Sequence, residues 1–245
     1  MRPILENDKV IAIIPAFNEE GRIGRVVEKM KHHAAWVDLV CIVDDGSSDQ
    51  TAALATQAGA FVLQHRGNMG VGAAIRTGME YGWKNGYSVG VVLSGDDQHD
   101  PDELDRIVGP ILHDGYDFVQ GSRYLKGGTV RNQTILKTVI TRIYSVLFFL
   151  ATGTFCSDVT NGFRAFRFSR IFEEPAIDLN QAWLNRYELE VYLLYKVYSS
   201  RTIKKEEVPI TIYCHRGSGN TKMIPILDWW RILRPVILLK LGMKK

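Results

Sequence analysis

The first half of the chain alternates short apolar segments with longer segments of helical spacing. Apolar runs predict buried strands, and apolar residues three and four positions apart predict helices. The predicted strands are Val10–Ile14, which Pro15 ends, Leu39–Val43, Ala60–Leu63, Val89–Leu93 and Asp117–Gln120. The predicted helices are Gly21–His32, Asp49–Ala58, Val71–Tyr81 and Pro101–His113. Strands that alternate with helices indicate an α/β fold whose sheet is largely parallel.

The second half has a different pattern. A long amphipathic helix is predicted over about residues 133–150, with aliphatic residues on one stripe at Leu136, Val139, Ile140, Ile143, Leu147 and Leu150. Lys137 and Arg142 interrupt this segment, so its continuous apolar part is too short to cross a bilayer. Further on, the pattern predicts a helix at Tyr187–Tyr198, a strand at Lys205–Tyr213 and a basic loop at His215–Lys222.

Acid and amide side chains follow three predicted strands, in Phe17–Glu20, Asp44–Asp49 and Asp96–Asp100. Ligands bind at the carboxyl ends of strands in open α/β sheets. The adjacent carboxylates of Asp96 and Asp97 are costly to keep charged without a cation, and Mg²⁺ or Mn²⁺ prefers such oxygen ligands. The alternative is that the acids only begin the next helix. That alternative explains Asp100 and Asp102 but leaves Asp96, Asp97 and Gln98 unexplained.

Three nearby features have simpler interpretations. The acids of Asp44–Asp49 suit the hydroxyls of a ribose or the edge of a base, although Ser48 or Asp49 also caps the following helix. We expect His99 to be a hydrogen-bonded structural residue. The segment Gly70–Ile75 has Ile75 where the third glycine of a dinucleotide fingerprint belongs, which argues against a nicotinamide site.

Composition narrows the class of protein. The chain has 245 residues, of which 46% are hydrophobic and 23% charged, enough for one large domain or two small ones. Three cysteines without metal spacing indicate a reducing compartment. The net charge of +3 is unevenly distributed. From Arg201 onward there are ten Lys or Arg and three Asp or Glu, a net charge of +7, so residues 1–200 carry −4. A basic tail suggests an anionic partner such as nucleic acid or a membrane surface, and an ordinary solvated face is the alternative.

Ordered motifs along the chain make a resemblance specific. The first four are Ile14–Glu20, Val43–Asp49, Asn68–Gly78 and Gly95–Pro101, and the later ones are Gly121–Tyr124, Asp158–Arg164, Val208–Ile210, Arg216, Gly219, Thr221 and Lys222. The chain resembles the inverting family-2 glycosyltransferases of the GT-A fold over about residues 9–223. Within that family, it is similar to the polyprenyl-phosphate glycosyltransferases that include the dolichol-phosphate mannose synthases. The resemblance implies a Rossmann-like, mixed and mostly parallel sheet flanked by helices, with amphipathic interface helices toward the C-terminus.

The resemblance also implies a role for each matching position. The nucleotide sugar would contact Pro15, Phe17, Glu19, Val43, Asp44, Asp45, Gly95, Asp96, Asp97, Arg216 and Lys222. The acceptor phosphate would contact Arg123, Lys137 and Thr141, and Asp96 with Gln98 would hold Mg²⁺ or Mn²⁺. Asp96, Arg123 and Arg216 would act in catalysis. Arg216 and Lys222 would close over the anionic groups from a mobile loop.

The chain departs from the family pattern at three positions. Ser94 stands where the family often has the first carboxylate of Asp-x-Asp, so one metal ligand is missing and Asp97 is the neighbouring acid. Asn161 replaces a common serine in Thr160–Arg164. Thr221 replaces the serine that often precedes Lys222, which preserves the hydroxyl.

The function implied is transfer of a sugar, with inversion, from a nucleotide sugar to a polyprenyl or dolichyl phosphate. GDP-mannose, UDP-glucose and UDP-N-acetylglucosamine all fit these motifs. An ionised phosphate acceptor needs no strong base, whereas a hydroxyl acceptor would need one, and Asp158 is the candidate. A non-catalytic nucleotide-sugar binder is an alternative from a different class.

The same resemblance divides the chain into a catalytic domain at 1–222 and a basic tail at 223–245. Trp229, Trp230 and the cations of the tail suit a helix that lies at a membrane surface, with an ordinary packed helix as the alternative. We expect a peripheral protein on the cytoplasmic face of a membrane, because no segment has the pattern of a secretory signal or a span. Aromatic residues are not interleaved with the basic ones, so nucleic acid is not an expected partner.

Overall fold

The computed structural model describes residues 8–214 and 227–244. Within 8–214, a seven-stranded sheet is formed by β1 (Val10–Ala16), β2 (Leu39–Asp44), β3 (Phe61–Gln64), β4 (Val89–Val92), β5 (Phe118–Ser122), β7 (Arg164–Arg167) and β8 (Lys205–Pro209). The order across it is β3-β2-β1-β4-β7-β5-β8. Neighbours are parallel except at β7, which is antiparallel to β4 and β5. The mixed, mostly parallel sheet predicted from the sequence is confirmed.

A smaller parallel pair joins β6 (Thr129–Arg131) to β9 (Thr211–Tyr213). The helices of the described residues are α1 (Ile23–Lys31), α2 (Thr51–Gln57), α3 (Val71–Lys84), α4 (Leu104–His113), α5 (Ile135–Thr152), α6 (Phe168–Phe172), α7 (Glu188–Ser199) and α8 (Leu227–Lys240). Short 3₁₀ turns lie at Pro101–Glu103 and Ala182–Leu184.

Alternate side chains of the central strand enter two separate cores, one on each face of the sheet. On β1, Ile11 and Ile13 pack with residues of α3, α5, α7 and α8. Val10, Ala12 and Ile14 pack with α1 and α4 on the other face. Strands of a parallel sheet that is covered on both faces are apolar on both sides, which is why their sequences are continuous apolar runs.

Two boundaries differ from the sequence predictions. The strand predicted to end at Pro15 continues through Ala16, because β1 still pairs with β2 there, while the pairing with β4 has ended at Val92. The missing N–H of Pro15 therefore interrupts no ladder on the β4 side. The single strand predicted over Lys205–Tyr213 is two strands, since β8 ends at Pro209 and β9 joins the other sheet.

Helix α5 turns its most apolar face away from the core. Its predicted stripe is exposed, at Leu136, Val139, Ile140, Ile143, Leu147 and Leu150. The buried residues of the helix are Thr141, Tyr144, Ser145 and Phe148. Contrary to the expectation from Lys137 and Arg142, α5 is long and apolar enough to cross a membrane by length and composition, with a mean hydropathy of 1.6 over 18 residues and 22% of it buried. An apolar face of this size on a soluble surface indicates a partner or a membrane.

Helix α8 is packed on the body rather than separate from it. Ile232, Val236 and Leu239 are buried in the core that α5 and α7 share. The Tyr144 hydroxyl donates to the Ile232 carbonyl at 2.5 Å, and Arg234 pairs with buried Glu188 of α7 at 2.5 Å. The described part of the predicted tail thus forms a wall of the domain. Apolar side chains also remain exposed there, at Trp230, Ile237, Leu241 and Met243.

Candidate active site

A cavity of about 590 Å³ lies where the carboxyl ends of β1 and β4 meet α5, α7 and α8. Ten residues predicted from the sequence line it: Pro15, Phe17, Glu19, Asp45, Gly95, Asp96, Gln98, Arg123, Lys137 and Thr141. The structure thus brings together in one cavity residues that are up to 126 positions apart in sequence. Three predicted residues, Val43, Asp44 and Asp97, do not line it. Arg216 and Lys222 lie outside the described residues.

The two acids that follow β2 have different surroundings. Asp44 is fully buried and accepts hydrogen bonds from the Ser47 hydroxyl and from Gln64 Nε2 at 2.9 Å. Asp45 reaches the cavity and accepts from the backbone N–H groups of Met69 and Gly70 at 2.9 and 2.8 Å. Asp44 therefore holds its own turn, whereas Asp45 fixes the start of α3 against the cavity. Val43 is excluded from the cavity because it lies in the core beneath α3.

The glycines before α3 are explained by close packing. A side chain at Gly70, whose φ is +105°, would lie 2.4 Å from the Asn185 carbonyl oxygen. A side chain at Gly72 would lie 2.2 Å from the Leu184 carbonyl oxygen. The N–H of Ala73 donates to the Asn185 carbonyl at 2.9 Å. These contacts seat α3 against the segment before α7.

The loop after β4 places oxygen donors at the cavity. Asp96 Oδ2 accepts from Gln98 Nε2 at 2.6 Å, and both residues line the wall. The Ser94 hydroxyl oxygen is buried without a hydrogen-bond partner among the described residues. Carboxylate, amide and hydroxyl oxygens are hard donors that fit Mg²⁺ or Mn²⁺, which commonly take few protein ligands and complete their shell with phosphates. Within residues 8–214 and 227–244, no three His, Cys, Asp or Glu side chains cluster as a metal site.

Asp97 turns away from its neighbour Asp96. Its φ of +61° lies in the left-handed region, and its carboxylate pairs with Arg25 at 3.0 Å and Lys29 at 2.7 Å, both on α1. Two adjacent carboxylates thereby avoid repulsion, because one is neutralised by α1 and the other faces the cavity. In this geometry Asp97 does not take the place of the carboxylate missing at Ser94.

His99 is a structural residue at the back of the cavity. Its Nδ1 accepts from the Ser94 N–H at 2.9 Å, so the proton lies on Nε2, which donates to Asn161 Oδ1 at 3.2 Å. The ring stacks on Phe163 with centroids 4.9 Å apart. Burial lowers the pKa of His99 to about 4, so the ring is neutral near pH 7. Its partners agree with the hydrogen-bonded role expected from the sequence.

Arg123 is held by a buried ion pair. Its Nε and Nη2 donate to the two carboxylate oxygens of Asp158, both at 2.6 Å, and Nη2 also donates to the Thr160 hydroxyl at 2.6 Å. Asp158 is 1% exposed and is absent from the cavity lining. A bidentate pair of this kind orients the guanidinium. It also occupies the carboxylate, so Asp158 is poorly placed to act as a base toward a substrate.

Helix α5 contributes to the cavity from its buried and N-terminal sides. Lys137 and Thr141 both line the cavity, one turn apart. The Thr141 hydroxyl contacts the Tyr124 hydroxyl at 2.5 Å, and the Arg142 guanidinium lies 4.4 Å from the centroid of the Tyr124 ring. Together with Arg123, Lys137 contributes positive charge to the cavity that Asp96 and Gln98 also line.

Sequence reasoning missed several charged residues of the cavity wall: Arg22, Arg186, Glu190 and Arg231. Arg22 follows the Phe17–Glu20 motif and pairs with Glu19 at 2.8 Å, so its proximity to the motif was an available signal. Arg186 lies just before α7, Glu190 lies in its first turn, and Arg231 lies on α8. Their place depends on how these helices pack, which no local pattern indicates.

Comparison with known proteins assigns the family. Residues 11–172 match the sequence model of glycosyl transferase family 2. The chain belongs to glycosyl transferase family 2. It is 33% identical over 221 residues to the polyprenol monophosphomannose synthase of Mycolicibacterium smegmatis, covering 88% of this chain and 81% of that protein. It is 31% identical over 258 residues to the UDP-N-acetylglucosamine–dolichyl-phosphate N-acetylglucosaminyltransferase of Methanococcus voltae, covering 96% and 98%.

The fold has a solved counterpart. Glucosyl-3-phosphoglycerate synthase from Mycobacterium tuberculosis, in a crystal structure with Mg²⁺ and UDP, superimposes with a TM-score of 0.70 over 98% of this chain and 82% of that one. At 19% identity, this likeness establishes the GT-A fold. The chain is a glycosyltransferase of this family, and its similar relatives include enzymes named for polyprenyl or dolichyl phosphate acceptors. Family membership thus favours an enzyme over the non-catalytic binder considered from the sequence.

Proposed function

We propose that this glycosyltransferase moves a hexose from a nucleotide sugar to a polyprenyl or dolichyl phosphate, with inversion at the anomeric carbon, at a membrane surface. One observation carries the proposal. Helix α5 lines the cavity with Lys137 and Thr141 while it exposes an aliphatic stripe on its outer face. A lipid phosphate needs this combination, because its charge must enter a cationic cavity while its chain stays in an apolar medium.

The acidic end of the cavity supports a nucleotide sugar and a divalent cation. Asp96 and Gln98, with the buried Ser94 hydroxyl beside them, would hold Mg²⁺ or Mn²⁺. The cation, when bound, supplies positive charge to the departing nucleoside diphosphate. Pro15, Phe17, Glu19 and Asp45 would line the nucleotide, as their place on the cavity wall allows.

The cationic end supports a phosphate acceptor. Lys137 and Arg123, which both line the cavity, would hold the phosphate, while Asp158 keeps the Arg123 plane fixed. The phosphate of a monoester is largely ionised near pH 7 and can attack the anomeric carbon without a base. The occupied carboxylate of Asp158 is compatible with this chemistry and disfavours a hydroxyl acceptor that relies on Asp158.

The exposed apolar residues of α5 and α8 would rest on the membrane, so the protein is proposed to bind it peripherally, on the cytoplasmic face. The parallel course of the two helices supports a common surface, since Tyr144 contacts Ile232 and Lys240 donates to the Ala151 carbonyl at 3.0 Å. The burial of Tyr144 and Phe148 of α5 in the protein core favours a helix that lies on the bilayer over one that crosses it.

The direct test is an incubation with polyprenyl phosphate, Mn²⁺ and a panel of UDP-glucose, UDP-N-acetylglucosamine and GDP-mannose, followed by mass spectrometry of the lipid. We expect a glycosyl-phosphoryl lipid with at least one donor. A protein with the Asp96→Asn change serves as the inactive control. If no donor yields a lipid product while a soluble glycan is glycosylated, the acceptor class proposed here is wrong.

A further inference from the structure

We propose that Glu190 binds the hydroxyl groups of the transferred sugar, an assignment that rests on the proposed function. Glu190 lies in the first turn of α7 and lines the cavity, and its Oε1 lies close to Gly162, which lines the cavity as well. Neither the sequence motifs nor the resemblance singles out this residue. Its carboxylate is set apart from the other cavity acids by its hydrogen bonding.

The other acids of the cavity are already occupied by donors from the protein. Asp45 accepts from two backbone N–H groups, Asp96 accepts from Gln98, and Glu19 pairs with Arg22 at 2.8 Å. The Glu190 carboxylate accepts no hydrogen bond from any described residue. Its nearest cation is Arg164 Nη2 at 3.6 Å from Oε1, a distance beyond a normal hydrogen bond.

Arg164 holds the backbone of Glu190 instead. The Nη1 of Arg164 donates to the Glu190 carbonyl at 2.9 Å, and Arg164 is 2% exposed. On the other side, Gly162 leaves room for the carboxylate, since a Cβ added there would lie 2.9 Å from Glu190 Oε1. The carboxylate is therefore kept in place and kept available, with buried positive charge beneath it.

Charge identifies which part of the substrates Glu190 faces. Both reacting ligands of the proposed reaction carry an anion, the diphosphate toward Asp96 and the acceptor phosphate toward Lys137. A carboxylate would repel either of them. The neutral sugar lies between the two anions during transfer, and its hydroxyl groups are donors that a carboxylate accepts strongly. Glu190 thus fits the sugar and would contribute to the choice between donors.

Calorimetric titration in the presence of Mn²⁺ tests the role of Glu190. It compares the dissociation constant of each nucleotide sugar with that of the nucleoside diphosphate that lacks the sugar. Loss of one charged hydrogen bond weakens binding by about tenfold. With Glu190→Gln, we expect the nucleotide sugar that binds the unchanged protein most tightly to bind about tenfold more weakly, and its diphosphate, UDP or GDP, to bind within twofold of the unchanged protein. Glu28→Gln, which removes the same charge from exposed α1, is the matched control and should change neither.

Gly162→Ala provides a second variant, because its new methyl group would displace the carboxylate without removing its charge. We expect it to weaken the sugar nucleotide selectively as well. Equal weakening of donor and diphosphate, or no change in either, would overturn the proposal. So would an unchanged donor affinity with a collapsed kcat, which would make Glu190 a base. These binding differences do not depend on the acceptor, so failure of the lipid-phosphate assay is a separate result.

Discussion

Replacing three aliphatic side chains on the outer face of α5 should release the protein from membranes without impairing the cavity. Ile143, Leu147 and Leu150 are 55%, 42% and 66% exposed, so about half of each side chain is free to enter a bilayer. Full burial of one such side chain stabilises by about 2 kcal/mol, so the three together contribute about 3 kcal/mol. Their replacement by glutamine should weaken binding on the order of 100-fold.

Sedimentation with anionic phospholipid vesicles measures this change directly. The same variant should keep its thermal midpoint and its transfer to a short, water-soluble prenyl phosphate, because the replaced side chains do not face the core. Unchanged vesicle binding would refute the assignment of this face to the membrane. Loss of activity on the soluble acceptor would instead show that the stripe supports the cavity.

Three other changes address the site itself. Asp158→Ala leaves the Arg123 guanidinium buried without its partner, so the free energy of unfolding should fall by about 3 kcal/mol and the thermal midpoint by roughly 6–12 °C. Adding Arg123→Leu to the Asp158→Ala protein should recover part of the lost stability. An unchanged midpoint with abolished transfer would instead favour a base at Asp158. Burial lowers the pKa of His99 from 6.5 to about 4, so the unfolded protein binds a proton at a higher pH than the folded protein does. The free energy of unfolding, measured with denaturant in the absence of divalent cations, should therefore fall by about 3 kcal/mol between pH 6.5 and pH 4. His99→Gln should remove this decline. Asp96→Asn should weaken Mn²⁺ binding, measured by electron paramagnetic resonance, by at least about tenfold. Asp102→Asn changes an exposed side chain of the next turn and should leave Mn²⁺ binding unchanged.

Local pattern was sufficient for the parallel strands β1 to β5 and for the loops that follow β1, β2 and β4. Glu19, Asp45 and Asp96 reach the cavity because parallel strands bring their carboxyl ends to one side. The pattern could not separate Asp96 from Asp97, since the left-handed φ of Asp97 and its pairing with α1 depend on tertiary contacts. The same limit applies to Asp158, because its ion pair with Arg123 depends on a tertiary contact that the sequence pattern does not indicate.

Helices α5 and α8 show a different limit. The spacing of aliphatic residues correctly predicted an apolar stripe on α5. Such a stripe normally faces the protein core. Here Thr141 and Ser145 lie on the buried side and hydrogen-bond to the protein, while the aliphatic side is exposed. Helix α8 was interpreted as a tail because of its charge, yet Arg231 lines the cavity and Val236 is buried in the core. Tertiary packing determines which face of α5 is buried and that α8 packs on the domain, and the periodicity of the sequence indicates neither.

The acceptor phosphate is the central claim, and the measurement that tests it compares polyprenyl phosphate with the polyprenol of the same chain length. Both lipids would be presented in the same vesicles with Mn²⁺ and the donor that turns over, and the products resolved by mass spectrometry. The cationic cavity and the occupied carboxylate of Asp158 predict product from the phosphate and none from the alcohol. Glycosylation of the alcohol at a comparable rate would contradict this account.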